Sequence, residues 1–206
     1  GDGVRWGKPL EVIREHKLAN RLRVICVYPT FSHLPWFCDH ATDPKIRQEA
    51  YFLQVVLPFV ERTYPALRDR RGRLLLGFSK SGYGAWSLLL RHPKLFERAV
   101  AWDAPLMMDQ PNNFGMGPIY GTAENFDGYC LTKLLAKEAK QLQQPADPRL
   151  MHLGYGNFRD HHQRMEKLLT ELEVPRIYRD GPLLKHAWDS GWVPLAAELV
   201  VTGKEK

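Results

Sequence analysis

Short apolar runs alternate along this chain with longer segments whose apolar residues recur every three or four positions. The runs at 22–28, 73–78, 98–102, 149–153 and 176–179 read as buried strands. Helical spacing predicts helices over 10–18, from 44 through 60, and over 81–91, 131–142, 160–172 and 190–201. Asp43 and Pro44 read as the cap and first-turn proline of the second helix. Ile46, Leu53, Val56, Leu57 and Val60 form its apolar stripe, and Pro58 predicts a kink. Residues 103–127 are rich in Gly, Pro and Asn and predict an irregular segment. Strand–helix alternation without hairpin signals gives an α/β fold, a mostly parallel sheet with helices on both faces. At 206 residues the expectation is one domain, 1–206, with 103–128 as an irregular segment at the active-site rim.

Ligands of such sheets bind beyond the carboxyl ends of the strands. The segments there are 30–43, 79–82, 103–127, 154–160 and 181–188. One of them carries chemistry in its local pattern: Leu76-Gly77-Phe78-Ser79-Lys80-Ser81-Gly82-Tyr83-Gly84-Ala85, between an apolar strand and a helix. A serine in a tight strand-to-helix turn, with small residues around it, is how α/β-hydrolases present a nucleophile. The turn lifts Oγ out of the sheet, and the helix start favours the negative charge that develops during attack.

A serine hydroxyl needs a base near neutral pKa within hydrogen-bond reach, which makes histidine the natural choice. His186 lies in the loop between the last strand and the last helix, where it can reach back over the sheet. A carboxylate must then orient the imidazole. Asp160, after the strand at 149–153 and a loop containing Gly154 and Gly156, is the first choice and could also cap a helix. Asp103, directly after the strand at 98–102, is its competitor. For the oxyanion, the backbone N–H of Lys80 is one expected donor and the glycine-rich start, at Gly3, supplies the other. Trp36, Phe37 and Trp188 could line a substrate pocket or belong to the core. No cofactor is required by this chemistry.

Bulk properties narrow the partners. The net charge is +6, but basic residues are interspersed with acids, and the densest cluster (Arg62, Arg68, Arg70, Arg71, Arg73) reads as a solvated face rather than a nucleic-acid groove. No uncharged apolar run is long enough to span a membrane. Cys26, Cys38 and Cys130 form neither a disulfide framework nor a zinc pattern, and Cys26 reads as a small core residue. Asp39-His40 and His161-His162 do not make a metal site, because adjacent side chains on a helix point in different directions.

Taken together, Leu-Pro-Phe-Val-Glu-Arg-Thr-Tyr-Pro at 57–65, the block at 76–85, Arg91-His92-Pro93-Lys94-Leu95-Phe96, the glycine-containing segment ending at Asp160 and the final His186-Ala187-Trp188 resemble the esterase D-like branch of the α/β-hydrolases. That branch includes S-formylglutathione hydrolases, feruloyl and acetyl-xylan esterases, and mycolyltransferases. The resemblance implies an α/β-hydrolase fold with Ser79 as nucleophile, Asp160 as acid and His186 as base. It also implies three strands ahead of Gly1, one of them between the strands at 22–28 and 73–78. The chain is therefore expected to be an N-terminally incomplete piece of a longer protein. Were it complete, those two strands would have to pair directly. Ser81 stands where the family usually has glycine.

The implied function is hydrolysis of a small-molecule or carbohydrate-linked ester through an acyl-enzyme. An acyltransferase on the same three residues and a non-catalytic hydrolase-like binding domain are the alternatives. Neither the compartment nor the oligomeric state follows from the sequence.

Overall fold

Four of the apolar runs form one parallel sheet because each is flanked by a helix that covers it. A computed structural model describes residues 6–143 and 147–204. Its strands are β1 (Leu74–Phe78), β2 (Arg98–Trp102), β3 (Leu150–Leu153) and β4 (Arg176–Arg179), in the order β1-β2-β3-β4. Leu74 pairs with Arg98, Ala99 with Leu150, and Leu150 with Arg176. Ahead of β1 lie α1 (Pro9–Glu15), α2 (Leu18–Leu22), α3 (Gln48–Tyr51) and α4 (Leu57–Thr63). Helix α5 (Lys80–Arg91) joins β1 to β2. Helices α6 (Gly117–Tyr120), α7 (Ala123–Asp127) and α8 (Leu131–Leu142) lie between β2 and β3. Helix α9 (Arg159–Glu171) joins β3 to β4, and α10 (Val193–Thr202) follows. No helix among the described residues is long and apolar enough to cross a membrane.

The period-2 geometry of the strands splits the core in two. Leu75, Ala99, Ala101 and Leu150 face Tyr83, Trp86 and Leu89 of α5, Leu131 and Leu135 of α8, and Met165 and Leu169 of α9. Phe78, Val100, Trp102, Met151, Leu153 and Ile177 face Val193, Ala196 and Val200 of α10, with Val12 and Leu18 of the first two helices. Each large apolar side chain removed from water contributes about 1.5–3 kcal/mol. The sheet is therefore held from both faces.

Several expectations change. The run at 22–28 is not a strand: Arg23 ends α2 in the left-handed conformation, and Ile25, Val27 and Tyr28 are each more than 40% exposed. An apolar run becomes a strand only with a ladder partner. This segment does not pair with β1, whose outer edge has no strand beside it among the described residues. Cys26, within it, is exposed rather than in the core. The helix expected from Asp43 starts at Gln48 instead, and Asp43 closes a local turn by accepting from the Lys45 N–H at 2.9 Å. The disturbance from Pro58 is also placed differently. A π-helical turn at Phe52–Val56 precedes it, inside a helical run that continues unbroken from α3 into α4, and Pro58 is the second residue of α4.

Two buried ionic side chains tie the layers together. Glu49 accepts from Arg91 (3.0 and 2.8 Å) and from the Tyr129 hydroxyl (2.9 Å), and bonds His92 Nε2 (2.6 Å), which joins α3 to the end of α5. Arg149, 5% exposed, donates to the carbonyls of Pro93, Phe96 and Glu97 at 2.6–3.0 Å. It thereby fixes the entrance to β2 against the start of β3. Arg149→Met keeps the packing volume but leaves these carbonyls unpaired. It is expected to lower the unfolding free energy by roughly 3 kcal/mol in equilibrium urea titration.

Candidate active site

The turn after β1 is built by steric limits. Ser79 ends the strand, donating its N–H to Trp102 O at 3.0 Å, and begins the helix, accepting from Gly82 and Tyr83 N–H at 3.0 and 3.1 Å. Doing both forces φ 54° and ψ −121°, a conformation that costs a non-glycine residue about 1–3 kcal/mol. A Cβ on Gly77 would lie 2.1 Å from Ser81 O, and one on Gly82 would lie 2.8 Å from Ala104 Cβ. Those two glycines let helix and sheet close on the serine. The hydrogen bonds of a strand alternate sides, so with the Ser79 N–H on β2, the peptide groups of Phe78 face the outer edge. There Ser81 Oγ accepts from Phe78 N–H (3.0 Å) and donates to Phe78 O (2.8 Å). The Ser81 hydroxyl thus fastens the turn.

His186 comes to this turn from the far end of the chain. Its ring lies 4.4 Å from that of Phe78, the neighbour of Ser79, and edge-on to Trp6 at 5.1 Å. Phe158 stands 5.7 Å away on another side. With 9% exposure the imidazole is walled by aromatic rings.

Its Nδ1 meets Oδ2 of Asp103 at 2.5 Å. Asp103 is fully buried, and its other oxygen accepts the Phe158 N–H at 2.6 Å. A Cβ on Gly156 would sit 2.2 Å from the Asp103 carboxyl, so only glycine lets the loop after β3 wrap that group. The Asp103 backbone has φ 40°, so it too is held in a strained left-handed conformation.

The structure thus places Asp103, rather than Asp160, against His186. Asp160 is an exposed residue in the first turn of α9, where a negative charge suits the helix dipole. The signal favouring Asp103 was adjacency: it directly follows β2, the neighbour of β1, whereas Asp160 is seven residues beyond β3.

Other expected site residues separate. Lys80 is the first residue of α5, so its N–H belongs to the helix turn that faces the site. Gly3 lies outside the described residues. Trp36 is fully buried against Tyr83 at 5.5 Å, which corrects its reading as a pocket residue: it is core. Phe37 packs on Phe31 and Phe52, and a Cβ on Gly84 would touch its ring at 2.5 Å. Trp188 is half-buried beside Phe78 at 5.3 Å, tilted against Trp192 at 5.3 Å and near Tyr28 at 6.3 Å. Among the described residues no group of three or more His, Cys, Asp or Glu is arranged to hold a metal.

Sheet, strained serine turn and buried histidine–carboxylate pair define the α/β-hydrolase class. Within it, the chain belongs to the family described as "Putative esterase", whose model matches residues 38–144, just over half of the chain. Solved structures agree on the fold. The substrate-bound fluorophosphonate-binding serine hydrolase F of Staphylococcus aureus superposes with a TM-score of 0.73 at 17% identity, over 96% of this chain and 78% of that one. The S-formylglutathione hydrolase of the same organism gives 0.69 at 18% identity, over 92% and 76%. A ferulic acid esterase gives 0.61 at 19% identity, over 80% of this chain. The chain spans 63% of the length of that esterase. No curated protein sequence matches the chain significantly.

Gly156→Ala drives a methyl group into the Asp103 carboxylate and is expected to cost about 1–3 kcal/mol of stability, from overpacking alone. Gly181→Ala meets only ordinary contacts with the Tyr155 ring, at 3.6 Å and beyond, and is the matched control with little expected change. Equilibrium urea unfolding of both variants checks the difference.

Proposed function

We propose that the chain carries the catalytic residues of a serine esterase, with Ser79 as nucleophile, His186 as base and Asp103 as the carboxylate that orients it. One observation carries this reading: the imidazole packed beside the Ser79 turn bonds a buried carboxylate through Nδ1. That bond fixes the tautomer. With Nδ1 keeping its proton and donating it to the Asp103 carboxylate, Nε2 is left as the acceptor a hydroxyl nucleophile requires.

The reaction then runs in two halves. Ser79 Oγ attacks the ester carbonyl as its proton passes to Nε2. The tetrahedral oxyanion is met by the N–H of Lys80 at the start of α5. Collapse breaks the bond to the alcohol oxygen, which takes the proton from the imidazolium, and leaves an acyl group on Oγ. Water, deprotonated by Nε2, attacks that acyl group. A second tetrahedral intermediate collapses, releases the acid and returns the proton to Ser79. Asp103 stays ionised throughout and stabilises the imidazolium in both halves. The substrate class is a small-molecule or carbohydrate-linked ester. Trp188, half-buried against the same Phe78 ring that the imidazole touches, suits a wall for its acyl or alcohol part.

A fluorophosphonate probe is expected to label the protein carrying this chain on Ser79, and Ser79→Ala to remove the label. For p-nitrophenyl acetate, Asp103→Asn is expected to reduce kcat roughly 10³–10⁴-fold. Asp160→Asn is expected to leave kcat near that of the unchanged protein. The reverse order of the two aspartates would assign the acid to Asp160.

A further inference from the structure

Behind Asp103 lies a buried chain of side chains that the hydrolytic chemistry does not itself use. The N–H of Ala104, the next residue, donates to Nε2 of His162 at 2.9 Å. Nδ1 of His162 meets Nδ1 of His152 at 3.2 Å, and Nε2 of His152 meets Oε2 of Glu166 at 3.2 Å. Arg176 closes on Glu166 with Nε donating at 3.0 and 3.1 Å to its two oxygens. Both imidazoles are fully buried, with His152 stacked on Tyr178 at 4.6 Å and edge-on to Trp86 at 5.4 Å.

The donors and acceptors permit one arrangement of protons. A backbone N–H can only donate, so Nε2 of His162 is bare and its proton sits on Nδ1. That proton is given to Nδ1 of His152, which leaves the His152 proton on Nε2, directed at the Glu166 carboxylate. Burial pushes the pKa of each imidazole down, and the neighbouring histidine adds to this for His162. Burial alone would raise Glu166, but its bonds from His152 and Arg176 outweigh that and bring it to about 2. The two imidazoles therefore rest neutral and in this single arrangement, facing an ionised Glu166.

The chain starts at one anchored end, the Glu166–Arg176 pair, and finishes on the peptide that follows the strained Asp103. His161 adds a second hold on the same loop, accepting the Met107 N–H at Nδ1 at 3.1 Å. The two adjacent histidines thus serve one loop through different faces of α9. We propose that His162 is a positioning residue for the catalytic acid: through the Ala104 amide it holds the Asp103 backbone in the conformation that aims its carboxylate at His186. This rests on the assignment of Asp103 made under the proposed function.

Two measurements test it. His162→Phe fills the space without an acceptor, whereas His162→Gln can offer its side-chain oxygen to Ala104. With p-nitrophenyl acetate, His162→Phe is expected to lose roughly 10²-fold in kcat with KM little changed, the cost of a misplaced catalytic group. His162→Gln is expected to recover most of that loss, even where both variants melt at the same lowered temperature. Nitrogen-15 NMR of histidine-labelled, unchanged protein is expected to show His162 protonated at Nδ1 only, a readout that requires no variant to fold. An unchanged kcat in His162→Phe, an equal kcat loss in His162→Gln, a loss confined to KM, or a proton on Nε2 of His162 would each overturn the inference. Asp103→Asn separates the two levels. Full activity in that variant overturns the assignment of the acid, whereas a loss there with an unaffected His162→Phe overturns the positioning role alone.

Discussion

The arrangement depends on one buried charge. Asp103 has no exposed surface, and a carboxylate taken out of water is tolerable only when its oxygens are matched by donors. It has two in hand, the Phe158 N–H and His186 Nδ1, and they come from different parts of the chain. The loop after β3 must wrap the carboxyl to bring the first, and the loop after β4 must fold back over the sheet to bring the second. The charge thus fixes the positions of both loops. It also sets the imidazole beside the turn where β1 becomes α5.

Strain is concentrated at the same place. Ser79 and Asp103 both carry positive φ and both directly follow neighbouring strands of the sheet. Each is held by surroundings that allow no alternative. Ser79 serves ladder and helix at once, under glycines that admit no side chain, with Ser81 fastened to the preceding residue. Asp103 is gripped in front by the loop containing Gly156 and behind by the amide bond to His162. Packing of the two cores supplies the stability that this strain consumes.

Local pattern in the sequence carries the elements that pack on both sides. The strands at 74–78, 98–102, 150–153 and 176–179, and the helix at 131–142, were legible because burial on the sheet imposes period 2 or 3.6. Ser79 was legible for a related reason, since its turn forces small residues at fixed offsets. The carboxylate that meets His186 was less so: Asp103 and Asp160 both follow strands, and only the adjacency of β2 to β1 separates them. The run at 22–28 misled because hydrophobicity reports burial potential, not the presence of a ladder partner. Trp36 sits in the loop region expected to line a pocket, yet its indole turns inward to Tyr83 and Tyr120. The histidine pair at 161–162 shows in the sequence only that it lacks the spacing of a metal site. Its role in bonding two amides of one loop depends on contacts 54 and 58 residues apart, which no spacing rule encodes.

The account stands on the pairing of His186 with Asp103, and proton NMR reads that bond directly. The Nδ1 proton, held in a short bond to a buried carboxylate, is expected to resonate far downfield of the backbone amides. It should vanish in Asp103→Asn and persist in Asp160→Asn. A downfield proton that survives loss of the Asp103 charge, or one that disappears only when Asp160 is changed, would contradict the account.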